Sequence, residues 1–350
     1  MSAVPEDRMT PKERVGSLLQ GKPIDRVPAV PVLLNGAARV VGYTVKEMVT
    51  DGEKVARAHV AAYRKYGSDM ITILTATASM AEAMGTRLAY PEENAPYIET
   101  PFLLSEDDVD RLHPVDVHRD GRLPVYLEAT ARCVEEVGEE VFVGTLFAGS
   151  FTTAASLYGT AKFVKTLHRN PDFAHRVLRY ATDTNRDWIE AIVAAGGVPV
   201  NCEPIATGSI LGTEMFRRFV VPYLTELQDY VKSFGLPALS HICGRIDSVL
   251  DPFVESGPSV ISVDVADMGY VSRTYGTRVG LMGNVRPAET VLLGTPESVD
   301  QEVKQILDQA GANPCGFVLA TGCEVPIDSP PENLLAFVQA ARKYGQRERL

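Results

Sequence analysis

The stretch LSHICGRIDSV sets His241 and Cys243 two residues apart at the end of an apolar run, and VLATGCEVPIDSPPEN holds Cys323 in a similar setting. In an extended segment, residues i and i+2 face the same side, so a single strand can present an imidazole and a thiol together. Gly244 follows the first pair and Gly322 precedes the second cysteine. Glycine lets the backbone turn tightly or approach another segment closely at both places. Two thiolates and an imidazole suit Zn2+, and three protein ligands leave a fourth tetrahedral position open for catalysis. The alternative is two buried thiols and a core histidine, because cysteine is among the most buried residue types.

Elements must exist that bring the two stretches together. Short β-branched runs occur at 26–34, 69–74, 141–147, 198–203, 236–243, 259–264, 278–283 and 316–322. Most lack polar alternation, as strands covered on both faces should. Between them lie segments of helical period that open on Thr-Pro or Ser-Pro and close on Gly, such as TPKERVGSLLQG and SPPENLLAFVQAARKYG. The long segment DFAHRVLRYATDTNRDWIEAIVAAGG reads as a helix capped by Asp172. Eight strands alternating with helices predict an α/β fold, a (β/α)8 TIM barrel. It carries an N-terminal helical extension and an excursion between strands 2 and 3 over residues 84–140, with 1–350 as one barrel domain. A doubly wound fold would need a G-x-G-x-x-G turn after the first strand, and LLNGAARVVG does not supply one.

In such a barrel the C-terminal strand ends converge on one face. Those ends hold Glu203, His241, Cys243, Asp264, Asn284 and Cys323. Glu203 reads as a fourth ligand, as an acceptor that orients His241, or as a strand-end carboxylate bonded to loop amides. Asp264 and Asn284 read as polar pocket groups, either touching substrate or tethering loops, and these three form the expected catalytic set. Cys202 is expected to face the core, opposite to Glu203, and Glu324 to point away from Cys323. Cys133 and Cys315 read as packing or surface residues, and His59, His113, His118, His168 and His175 as structural or solvated.

The formal net charge is -11, and no Lys/Arg run is present that would track a phosphate backbone, which argues against nucleic acid as a partner. The N-terminal stretch MSAVPEDRMTPKERV lacks the apolar region of a secretory signal, and no run approaches the roughly twenty apolar residues needed to span a bilayer. Five cysteines in a chain of this kind suit a reducing compartment. A cytoplasmic location with no membrane partner is expected.

The segments HICG, SVDVAD, RVGLMGNVRPAETVLLGTPESV and GFVLATGCEVPIDSPPENLLAFVQAARKYG resemble the uroporphyrinogen decarboxylase superfamily, and more closely its corrinoid-dependent methyltransferase branch. Upstream, GKPIDRVPAVPVLLNGAARVVG and GSFTTAASLYG extend the likeness. The resemblance implies a TIM barrel with zinc in its mouth, His241, Cys243 and Cys323 as ligands, and Glu203 as an acidic group near the metal. It implies methyl transfer between a corrinoid (methylcobalamin) and a zinc-activated thiol such as coenzyme M. In the alternative direction, a methoxylated or methylamine donor passes its methyl group to Co(I). The chain has no D-x-H-x-x-G segment to ligate cobalt, so the corrinoid is expected on a separate carrier protein. Residues 84–118 are the expected docking rim. A uroporphyrinogen decarboxylase-like decarboxylation is the second alternative. Those enzymes carry an arginine-rich segment after the first strand, where this chain has only Arg39, and a histidine where it has Cys323.

Overall fold

In the computed structural model, which describes residues 5–74 and 76–347, eight strands form one sheet. They are β1 (Ala29–Val30), β2 (Met70–Leu74), β3 (Phe142–Ala148), β4 (Val198–Cys202), β5 (Leu239–Arg245), β6 (Val260–Val265), β7 (Gly280–Val285) and β8 (Phe317–Thr321). The order around the sheet is β1-β8-β7-β6-β5-β4-β3-β2, and each ladder in it is parallel. Among the described residues no ladder joins β1 to β2. Asp69, just before β2, fastens that seam. Its amide donates to the Ala29 carbonyl at 2.8 Å, and its carboxylate accepts from the Ala29 amide at 2.6 Å. The ring is the (β/α)8 barrel expected from the alternation of strands and helices.

Strands β7 and β8 are buried along their whole length, which explains their unbroken apolar character. Two separate apolar clusters result. Val30, Val32, Leu146, Val200, Met282 and Val318 pack inside the barrel. A larger set, including Phe151, Phe163, Trp188, Phe253 and Phe337, fills the space between the sheet and its helices. Ladder register sets the levels inside. Cys202, His241, Ser262, Met282 and Val318 are successive partners across β4 to β8, so they share one level.

The first strand is much shorter than the apolar run 26–34. Pro28 and Pro31 flank Ala29–Val30 and have no amide to give a ladder. The first helix, Pro11–Leu19, starts as expected at Thr10, which forms a reciprocal capping box with Glu13. The long helix runs Pro171–Ala194 and is capped by Asn170, not Asp172; Asn170 Oδ1 accepts from the Phe173 amide at 3.2 Å. Within the excursion, an antiparallel hairpin (Arg87–Ala89 with Tyr97–Thr100) and a 3-10 turn (Glu106–Arg111) precede the helix Leu123–Val137, which leads into β3. No helix among the described residues is long and apolar enough to cross a membrane.

Under the N-terminal strand ends lies a buried ion network. Arg14 Nε and Nη2 donate to Asp25 at 2.7 and 2.9 Å, Arg26 Nη1 donates to Asp69 at 2.6 Å, and Arg14 also pairs with Asp69. Arg26 reaches Asp7 at 2.6 Å through Nε.

Candidate metal centre

Strand β5 carries His241 and Cys243 on the same side, as their spacing requires. The chain then turns through a left-handed conformation at Gly244 (φ 72°), which a side chain would strain. Strand β8 ends at Thr321, and Gly322 brings Cys323 against β6. A Cβ on Gly322 would lie 2.7 Å from Asp264 Oδ1 and 3.2 Å from its Cα, so only glycine allows this approach. Both glycines therefore work as the sequence suggests.

The three side chains converge. One ligand atom from each of His241, Cys243 and Cys323 lies within 4.8 Å of the others. His241 Nε2 is 3.1 Å from Cys243 Sγ, and the two sulfurs are 3.7 Å apart. That separation is far beyond a disulfide bond of about 2.05 Å. It is close to the roughly 3.8 Å that two Zn–S bonds of about 2.3 Å subtend in a tetrahedron. The donor set therefore fits Zn2+ in chemistry, and the two sulfurs fit it in spacing. Hydrogen bonding from Cys243 lowers the Cys323 thiol against the opposing effect of burial, and His241 adds to the lowering. The same bond, with burial, raises Cys243.

His241 is oriented from behind by Ser262, whose hydroxyl lies 3.0 Å from Nδ1. Register explains the pairing, since His241 and Ser262 are ladder partners on β5 and β6. Glu203 does not perform this task. Its carboxylate accepts from the amides of Phe151 (3.1 Å) and Thr152 (2.8 Å), at the start of the helix Ser150–Tyr158. Its only bond to His241 is through the main chain, from its amide to the His241 carbonyl at 2.8 Å. Burial pushes the Glu203 carboxyl up to about 7, against the opposing bonds from Thr152 and Phe151. Asp264 accepts from the Gly244 amide at 2.7 Å and is raised by burial, with that bond opposing. Asn284 donates to the carbonyls of Asp264 and Ala266, each at 2.9 Å. Both residues tie together the backbone that carries Cys243 and the loop after β6.

Beneath the ligands, a cavity of about 100 Å³ runs into the barrel. Two expectations are corrected at its wall. Cys202 lies in the barrel-interior cluster, opposite to Glu203 as expected, and lines the cavity because its ladder partner is His241; the correction falls on Glu203, expected beside the metal and absent from that wall. Glu203 is then on the outer side, facing the helix. Glu324 also lines the cavity, because the chain has left strand geometry after Thr321 and alternation no longer applies. Its Oε1 accepts from Asn35, from the amide at 2.8 Å and from Nδ2 at 3.0 Å. Burial raises its carboxyl to about 7, opposed by those bonds. Sequence reasoning did not single out Ser262 and Asn35. Ser262 could be found from its period-2 spacing to Asp264; Asn35 carries no such signal.

The sequence comparisons bear on what this geometry serves. Residues 10–344 match the model of the uroporphyrinogen decarboxylase (URO-D) family. The chain belongs to the uroporphyrinogen decarboxylase family. Relatives of this uroporphyrinogen decarboxylase family member include a methylcobamide:CoM methyltransferase of Methanosarcina barkeri, 27% identical over 341 residues and covering 96% of this chain and 98% of the relative. A methylated-thiol–coenzyme M methyltransferase of Methanosarcina mazei is 24% identical and covers 96% and 90%. Among solved structures, a methyltransferase from Methanosarcina mazei superposes with a TM-score of 0.87 at 27% identity, covering 95% of this chain and 98% of that one. The methyltransferases within the family thus share this chain's fold over nearly its full length.

Proposed function

We propose that this family member is a zinc-dependent methyltransferase that moves a methyl group between a corrinoid carried by a partner protein and a small thiol. The reading takes residues 1–350 as one barrel domain acting in the cytoplasm. The observation that carries it is the convergence of His241, Cys243 and Cys323 at the C-terminal mouth of the barrel. His241, Cys243 and Cys323 would hold Zn2+, which would supply a thiolate nucleophile at neutral pH by favouring loss of the proton from a bound thiol.

The protein's own groups prepare this chemistry. For Nε2 to offer its lone pair, the ring N–H must sit on Nδ1, and Ser262 Oγ is placed to accept it. Asp264 and Asn284 hold the backbone beside Cys243, which keeps the sulfurs at ligand spacing. Glu203 closes the start of the neighbouring helix, so its role is to position, at one remove from the ligands. The docked corrinoid would supply the methyl group and keep the electron pair of the Co–C bond as the C–S bond forms, and the thiol's proton would leave to solvent.

At about 100 Å³ the cavity is smaller than the roughly 150 Å³ apolar cavity that admits benzene, so among donor-side substrates a methylamine fits by size and a methoxylated ring does not fit the cavity. Among the described residues no arginine lines it, which does not favour a decarboxylase that clamps carboxylates. The test combines elemental analysis of the purified protein with absorbance at the cob(I)alamin bands after mixing with methylcobalamin and a panel of small thiols. Stoichiometric zinc and thiol-dependent demethylation, both absent in His241→Ala, are expected. A zinc-loaded protein that leaves methylcobalamin intact with every thiol would refute the reading.

A further inference from the structure

The lip of the barrel around the metal centre is uneven. Ile210, Val265, Tyr270 and Leu293 are large apolar side chains left 41%, 46%, 49% and 78% exposed. Ile210 lies in the loop after β4, Val265 ends β6 with Tyr270 close behind it, and Leu293 follows β7. Hydrogen bonds join these segments into one arc. Thr207 Oγ1, in the loop that carries Ile210, donates to the Arg245 carbonyl at 2.9 Å. Arg245 is two residues beyond Cys243 and is the ladder partner of Val265. Asn284, near the end of β7, donates to the carbonyls of Asp264 and Ala266, the two residues flanking Val265. The arc therefore borders the backbone that presents the Cys243 ligand.

Charge is distributed just as unevenly. Residues 204–212 and 290–295 carry no charged side chain, and 265–272 carry only Asp267, which accepts from the Tyr270 amide at 2.8 Å. At the edges of the arc, Arg245 pairs with Asp247 at 3.5 Å and Arg286 with Glu302 at 2.9 Å, and Glu289 is an exposed acid. Residues 91–111 of the excursion, in contrast, hold seven acidic residues and one basic one.

We propose that the arc from β4 to β7 is the seat of the corrin ring, presented by the partner protein with its methyl group turned toward the metal centre. The inference rests on the methyl-transfer reading above and assigns the surface that this reading requires. The cavity for the thiol lies beneath the ligands, so the methyl group must come from above, across the lip. A corrin ring is an apolar macrocycle fringed by neutral amides. It can cover an uncharged apolar arc without stripping water from charges. The excursion, expected to form the docking rim, is a poorer seat. Covering its carboxylates costs their hydration, and the phosphodiester of the corrinoid's nucleotide tail adds like-charge repulsion.

Equilibrium dialysis of methylcobalamin against the zinc-loaded, full-length protein, with no thiol present, measures the seat without turnover. Tyr270→Glu and Leu293→Glu are each expected to weaken binding at least about threefold, and the double variant at least about tenfold. Tyr97→Glu and Leu104→Glu, at exposed apolar positions of the excursion, are expected to leave it unchanged. Should an arc variant fail to fold, hydrogen–deuterium exchange on the native protein reads the same surface. Methylcobalamin is then expected to slow exchange in 204–212, 265–272 and 290–295 and not in 84–118. Binding unchanged in a folded arc double variant, binding lost in the excursion variants, or protection confined to 84–118 would each overturn the assignment while leaving the methyl-transfer reading intact. So would a native protein that sediments as a dimer and becomes a monomer in Leu293→Glu, since a second copy would then cover the arc. If the native protein binds no methylcobalamin, the corrinoid part of that reading falls and this inference falls with it.

Discussion

Beneath the barrel, Arg14, Arg26, Asp25 and Asp69 are all buried, and each oxygen of the two carboxylates accepts at least one guanidinium or amide hydrogen. At the opposite face, the sulfurs of Cys243 and Cys323 pair with each other and with an imidazole, and Glu324 has one oxygen without a hydrogen-bond partner among the described residues. Both regions concentrate ionisable groups in low-dielectric surroundings. The lower one satisfies every charge internally, so its groups can do nothing except hold the fold. The upper one leaves capacity unused, which is what a site needs in order to bind something else. The contrast follows the division of labour in TIM barrels, with stability at the N-terminal face and chemistry at the C-terminal face.

Substitutions on the two faces should separate these roles. The largest effect is expected from Asp69→Ala. It removes one carboxylate partner from each of two buried guanidinium groups and opens the β1–β2 seam, which should cost about 3–5 kcal/mol in chemical denaturation. The zinc content of the protein that still folds should not change. Cys323→Ala should do the reverse. Zinc affinity should fall by more than the roughly 10–100-fold that loss of an outer-sphere partner costs, while the denaturation midpoint of the metal-free protein stays close to native. Ser262→Ala removes such a partner, and competition with a chromophoric chelator should show a loss within that roughly 10–100-fold range.

The smallest effect concerns acid. Burial pushes Asp25 upward, but the bonds from Arg14 and from the Arg8 and Met9 amides outweigh it and hold the carboxyl well below its ordinary value of 3.8. Asp7 is lowered in the same way, mainly by Arg26. In the unfolded chain these groups take up protons first. The stability they confer is therefore fully present above about pH 4 and declines as the pH falls further toward their folded values. Asp25→Asn should flatten that acid limb in urea titrations run at successive pH values. An unaltered limb would mean that other carboxylates govern it.

The barrel was legible because buried parallel strands and Gly-terminated helices leave strong local signals. The convergence of His241, Cys243 and Cys323 was legible because H-x-C uses strand period and Cys323 follows a glycine. What the sequence hid depends on register. Whether Cys202 or Glu203 faces inward is set by the pairing of Cys202 with His241, a relation between two strands that neither segment encodes alone. Glu324 was misread because alternation was carried past Thr321, the last residue of β8. The lower ion network was not foreseen, since Arg14, Asp25 and Asp69 lie in separate segments with no common spacing.

The seam at Asp69 has a mechanical consequence. Seven joins around the ring are strand ladders, while the eighth is made by a single residue and a two-residue strand. Met70 and Thr72, immediately beyond that residue, line the cavity. Among the described residues, the wall of the cavity at Met70 and Thr72 is therefore tied to the first strand through the Asp69 clasp and not through a ladder, so loosening that one side chain would act directly on the width of the interior.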